Sequence, residues 1–466
     1  MKKIILKKID LPNFGMDAEM PEIPAKEFEN RIAKTIAEMK KQKMDFLLVF
    51  ADREHSANLS FLTNLDPRFE DGLLLLNKNG KRKMLLGNEC MGFTGVCPIP
   101  MEYEIYQEFS LLGQDRSKSR PLKTIFSDFG ISAGSKVGCA FYKYFSPTPN
   151  PSPKGRGETW LDIPSYIADV LRNIVEKNGS VVNANSIFMD CENGLRHHTC
   201  LEELVRLEWA STRTSESIKN LIRNIKPEIR EYELARNFNS DGLPYNCHPM
   251  VSSGKKAKSG LSSPSANKIF VGDDFTCAFG VWGALTCRAG KIAESSKSKV
   301  QSLKLYEKFW RNYFLTVVTW YESVGIAVSA GDVSKKVNRV RDNSLFDFAV
   351  NTGHTIHLDE WTNSPFYLNS KIKLHSGLAL QMDIIPMTKG EFACVNMEDG
   401  IILADEKLRT EWQRKFPSSW KRIVERRKFM IEKIGIKIKP EVLPLSNIPA
   451  YFAPYLLSNK MVAVVD

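Results

Sequence analysis

The residues best equipped for chemistry lie in the last third of the chain. Gly353-His354-Thr355-Ile356-His357 sets two imidazoles close together, Gln381-Met382-Asp383 ends on a carboxylate, and Met397-Glu398-Asp399-Gly400 carries two more. Should His354, Asp383 and Glu398 converge in one pocket, they would offer proton transfer or a seat for a cation, and convergent ionisable groups point toward function. Each also has a structural reading. His354 could be a buried, hydrogen-bonded histidine, Asp383 and Glu398 a charged pair with Arg288 on facing strands, and His357 and His375 packing or surface residues. Cysteine chemistry has less support. The nine cysteines are scattered without a CxxC pair. Cys191 and Cys200 flank His197 and His198, but one such cluster lacks a zinc finger's spacing. An odd, scattered set fits a reduced, cytoplasmic compartment.

These residues need a scaffold, and the chain is long enough to provide one. At 466 residues it predicts two to four domains, and 43% hydrophobic with 26% charged residues is ordinary for a globular protein. The net charge of +11 is partly concentrated near the ends, at Lys2, Lys3, Lys7, Lys8 and at Arg422, Arg426, Arg427, Lys428, without the aromatic interleaving of a nucleic-acid surface. No nucleic-acid partner is expected. The basic N-terminus lacks the apolar stretch of a signal peptide, and no apolar run is long enough to span a bilayer, so no membrane association is expected either.

Phe28, Ile32, Ile36 and Met39 fall at helical spacing within residues 27–44. DFLLVFA follows as a strand from Asp45. GLLLLN from Gly72 and MLLG after the KNGKRK turn read as a hairpin. The Pro-, Ser- and Gly-rich stretch 146–158 has no apolar periodicity and reads as a flexible surface insertion. Helices are predicted at 162–177, at 201–225 ending before Pro227, and at about 230–238. From 245 onward strands and Gly-rich turns dominate, with one long helix at about 298–325. The boundary falls in or near 185–200, giving domains 1–190 and 191–466.

Three blocks carry a resemblance. Residues 28–76, with Asn58-Leu59-Ser60-Phe61-Leu62-Thr63-Asn64-Leu65-Asp66 at their centre, resemble the opening domain of the creatinase, prolidase and aminopeptidase P superfamily. LEWASTRTSESIKNLI with KPEIREYELA resembles the helix pair that enters its catalytic domain. PMVSSGKKAKSGLSSPSANKIFVGDDF, NTGHTIHLDEW, LHSGLALQMDIIPM and VNMEDGIILAD then follow in the superfamily's order, and the tail is similar to extensions of aminopeptidase-P-like proteins. The resemblance implies an α/β N-terminal domain with a mixed sheet, then a C-terminal pita-bread domain with a curved antiparallel sheet covered by helices. It also implies a homodimer, closest in layout to Xaa-Pro aminopeptidase-like proteins.

The superfamily's two-metal hydrolases use two Asp, one His and two Glu, because bridging carboxylates neutralise two cations and lower the pKa of a shared water. By this resemblance His354 takes the histidine ligand's place in a GHGI-like motif. Asp383 stands for the first Glu with a shorter reach, and Glu398 for the last. The two aspartate positions fall on Ala278 and Leu285, which cannot bind metal. Asp274 is a substitute in a different strand position. His357 stands where Gly is usual, and Trp361 and Thr362 stand where a substrate-contacting His-Glu pair is frequent. His357, Trp361 and Arg288 are thus candidate substrate-binding residues. Leu261 replaces a catalytic His on which the metal-free creatinase route relies.

Three functions follow. The leading expectation is a degenerate, non-catalytic member that binds a small peptide or small-molecule metabolite. The others are a metallo-aminopeptidase cleaving Xaa-Pro peptides with one divalent ion (Mn, Co or Zn) on His354, Asp383, Glu398 and Asp274, and a metal-free creatinase-like amidinohydrolase. The first and third imply no cofactor.

Overall fold

FLLVFA at Phe46–Ala51 has no polar alternation, and all six residues are buried. A strand of this kind belongs in the middle of a sheet covered on both faces. The computed structural model, which describes residues 2–117, 119–145, 160–260, 262–294, 301–388 and 395–466, places it there. The 146–158 insertion and Leu261 lie outside the described residues.

The chain divides into two units, Glu22–His198 and Met1–Pro21 together with Thr199–Asp466. In the first unit a six-stranded mixed sheet runs Glu102–Ile105, Arg82–Leu86, Gly72–Asn77, Phe46–Ala51, Lys136–Ala140, Ser180–Asn183. Phe46–Ala51 pairs antiparallel with Gly72–Asn77 and parallel with Lys136–Ala140. The Gly72–Asn77 and Arg82–Leu86 strands form the hairpin that the sequence predicts. The predicted first helix spans Ala25–Lys41 and buries Phe28, Ile32 and Met39, with Ile36 half-buried. Arg31 on the same face is 1% exposed and donates from Nη1 to the Phe61 carbonyl at 2.9 Å, its guanidinium lying over the Phe28 and Phe61 rings. That contact ties the helix to the Ala57–Thr63 turn of helix, which the Asn58–Asp66 motif forms.

In the second unit Ile4–Lys8 pairs antiparallel with Met461–Val465, so the chain's opening residues run with its C-terminal part. The main sheet is antiparallel and seven-stranded, in the order His354–Thr355, Ala379–Asp383, Met397–Leu403, Ala284–Lys291, Asp274–Val281, Met250–Ser253, with Val442–Pro444 also pairing Met397–Leu403. Strand alternation divides its residues between two faces. Phe275, Cys277, Phe279, Val281, Met382 and Met397 join one core with Tyr306, Phe309, Trp310, Tyr313, Phe314 and Trp320 of the long Gln301–Ser323 helix. Burial of so many aromatic side chains is a large hydrophobic contribution, of about 150–250 Å² each. The Leu201–Asn224 helix is also mostly buried, and its Thr214 hydroxyl meets the Thr286 hydroxyl at 3.0 Å. Thr286 therefore faces the helices, and its neighbours Leu285 and Cys287 face the other way.

Candidate functional site

That other face carries the chemistry. Asp383 pairs with Glu398, Glu398 with Cys287, Cys287 with Ala278, and Ala278 with Met250, so one row of side chains crosses five strands. The next row holds His354, Gln381 and Gly400. Gly400 leaves room there, since a Cβ would come 3.3 Å from Gln381 Oε1, and Gln381 reaches over it to donate to the Leu285 carbonyl at 2.8 Å.

The structure brings His354, Asp383 and Glu398 together. They are 0%, 2% and 5% exposed, and His354 Nε2 lies 3.9 Å from Asp383 Oδ2. Asp383 and Glu398 stand opposite one another in the strand register, and burial raises both carboxyls. Burial pushes the Asp383 carboxyl up to about 7, with the Glu360 charge adding to it. Burial, Asp383 and Glu360 together hold Glu398 well above the carboxylate range. Tyr313, from the helix-covered face, ties the same two strands together. Its hydroxyl donates to the Ile384 carbonyl at 3.0 Å and accepts from the Met397 amide at 2.8 Å, spanning the two strands just beyond the Asp383–Glu398 pair.

The residue that sequence reasoning missed is Glu360. Its Oε1 lies 3.1 Å from His354 Nε2, and Trp361 stacks on the imidazole with centroids 4.1 Å apart and planes 18° from parallel. Burial alone would lower the His354 pKa, but the carboxylates of Glu360 and Glu398 outweigh it and the group is raised. The segment 356–362 loops out between paired ends: Thr355 N donates to Asn363 O at 2.7 Å, and Thr362 N to Thr355 O at 3.0 Å. His357 is fully buried in this loop. Its carbonyl sits directly against Gly283, where a Cβ would approach to 1.6 Å, so only glycine fits that position of the hairpin turn. The turn itself has two residues, Trp282 and Gly283, between the paired Val281 and Ala284. Trp282 sits at φ +48°, as the first residue of so tight a hairpin must.

Two candidates are placed elsewhere. Arg288 lies on the helix face, one residue out of phase with Cys287. It donates to both oxygens of Asp399 at 2.9 Å and to the carbonyls of Tyr451, Cys287, Glu398 and Ile448. It is neither a ligand for substrate nor the partner of Asp383 and the Glu398 carboxylate. Asp274 shares the site face but stands four residues from Ala278, about 13 Å along the strand, and bonds Lys291 Nζ at 2.7 Å. His375 is half-buried, with Nδ1 2.9 Å from the Ser376 carbonyl.

No family model matches the sequence, and no curated protein does. Solved structures do match. A recombinant prolidase from Thermococcus sibiricus superposes with a TM-score of 0.61 at 18% identity, covering 81% of this chain and 95% of that one. The prolidase from Pyrococcus horikoshii OT3 gives 0.60 at 14%, covering 80% and 95%. A putative aminopeptidase P from Bacillus anthracis gives 0.59 at 14%, covering 86% and 99%. The chain has the pita-bread fold. An α/β mixed-sheet domain precedes the pita-bread domain, as the sequence resemblance implies.

A two-metal centre does not fit this pita-bread site. Ala278 and Leu285 face the site side and pack with Met250 and Cys287, with Cys247 against them, so the sector opposite Asp383 and Glu398 is apolar. Cys247 supplies no thiolate, because burial and the nearby Glu360 and Glu398 charges push it up to about 12. Among the described residues no group of three or more His, Cys, Asp and Glu side chains is arranged to hold a metal ion. Burial pushes both carboxyls toward their neutral forms, and a third carboxyl, Glu360, lies 3.1 Å from His354 Nε2.

Proposed function

We propose that this protein is a non-hydrolytic member of the pita-bread fold that binds a small peptide or metabolite in the pocket of His354, Asp383 and Glu398. The observation that carries the reading is the apolar Ala278–Leu285 sector on the same sheet face as the buried Asp383–Glu398 pair. Hydrolysis by two metals needs anionic ligands on both sides of the ions, and one side here offers none. The polar atoms on the other side remain available: Asp383 Oδ1 and Glu398 Oε2 are buried without a hydrogen-bond partner. An unpaired buried acceptor is costly, and a ligand's N–H groups would satisfy both. The same two oxygens support a second reading, a single divalent ion bound between them that polarises an Xaa-Pro peptide. We further propose a cytoplasmic homodimer, on the resemblance and on the cysteine usage. Among the described residues no helix is long and apolar enough to cross a membrane.

Turnover separates the two readings. Purified protein is incubated with manganese, cobalt or zinc and given proline-containing dipeptides, beside a His354→Ala variant. Absence of cleavage under every metal is the expected result. Cleavage that disappears in His354→Ala would establish the peptidase and end the non-hydrolytic reading.

A further inference from the structure

His354 is fully buried, yet the two groups that cover it are not: Trp361 is 39% exposed and the Glu360 side chain 22%. The cover over the imidazole is therefore one side chain thick, with solvent on its far side. Both groups come from the same short loop. Its ends are pinned by the Thr355–Asn363 pairing, reinforced by the Thr355 hydroxyl donating to Asn363 O at 2.8 Å and the Ser364 hydroxyl to Gly353 O at 2.6 Å. Between those pins, His357 N to Asp359 O at 3.1 Å spans a tight turn. A loop with fixed ends and a partly exposed middle can swing without disturbing the sheet, and such segments occupy the low-stability end of local opening.

We infer that residues 357–362 form an internal plug, in which Glu360 and Trp361 occupy the face of His354 that a ligand would use, and that the pocket opens only when this loop lifts. The plug has the chemistry of an occupant: a carboxylate against Nε2 and an aromatic ring stacked on the imidazole. It seats on a prepared surface, since Gly283 admits the His357 carbonyl at a distance no other residue allows. The inference rests on reading this pocket as a ligand site.

The test is carbethoxylation by diethyl pyrocarbonate, followed residue by residue through peptide mass spectrometry. Exposed His198 serves as the internal reference. In the unaltered protein His354 reacts far more slowly than His198. Trp361→Ala changes no charge, so it reports on cover alone, and it should raise the His354 rate roughly tenfold, the effect of about 1.4 kcal/mol on a local opening equilibrium. Trp361→Phe keeps a stacked ring and should keep the protection, while the His198 rate stays constant in all three. Equal His354 rates in Trp361→Ala and the unaltered protein would overturn the plug, as would a His354 that already reacts as fast as His198. Turnover with metal would sink the non-hydrolytic reading without altering these relative rates, so the two failures are distinguishable.

Discussion

Replacing Asp383 with asparagine should make this protein more stable at alkaline pH. The buried Asp383 carboxyl is raised from 3.8 to about 7 by burial and by neighbouring charge. The unfolded chain releases that proton near pH 4, while the folded chain keeps it until about pH 7. A raised carboxyl therefore costs nothing below pH 4, and its penalty grows as pH climbs through that interval. About three pH units at 1.36 kcal/mol each set a ceiling of about 4 kcal/mol, reached above neutrality. The Asp383→Asn substitution would remove the titration, and the new side-chain amide oxygen could still accept from a protonated Glu398, as the Asp383 carboxyl does. We expect Asp383→Asn to gain on the order of 2–4 kcal/mol at pH 8, or roughly 5–10 °C in the melting temperature of the second unit. At pH 4.5 the gain should fall to about 1 kcal/mol or less. Scanning calorimetry at both pH values decides it. A variant destabilised equally at pH 4.5 and pH 8 would refute the reasoning, because it would mean that the carboxyl's shape, and not its proton, matters to the pair.

Other substitutions test the neighbouring elements. Arg288→Met strands the 1% exposed Asp399 without its guanidinium, and should cost about 3–5 kcal/mol by thermal or urea unfolding. Glu208→Gln removes the one carboxylate shared by Arg422 and Arg426, with oxygens 2.7 and 2.6 Å from them, and should destabilise the second unit by a similar amount, about 3 kcal/mol. Ala278→Asp with Leu285→Asp restores two carboxylates opposite Asp383 and Glu398. Equilibrium dialysis should then find manganese retained by the double variant and not by the parent, and equal retention would mean that the apolar sector is not what excludes metal.

Much of this was legible in the sequence. Helix period marked the Ala25–Lys41 and Leu201–Asn224 helices, and a continuous apolar run marked the Phe46–Ala51 strand, which is buried at every residue. Asp383 and Glu398 were legible as a facing pair, and the register bears this out. Arg288 was misassigned through strand parity. Glu398 and Asp399 are adjacent in sequence but point to opposite faces, and Arg288 lies on the Asp399 side. Asp274 was the wrong distance along its strand, and its charge is taken by Lys291. Glu360 could not be found by spacing, since its reach depends on how the 356–362 loop folds back. Its signal was a carboxylate beside Trp361, within the same loop as His357.

The most direct test of the central claim is metal content. The full chain is incubated with excess manganese, cobalt or zinc, freed of unbound ions, and measured by inductively coupled plasma mass spectrometry beside His354→Ala. The account predicts no stoichiometric metal in either protein. Near one ion or more per chain, lost in His354→Ala, would contradict it.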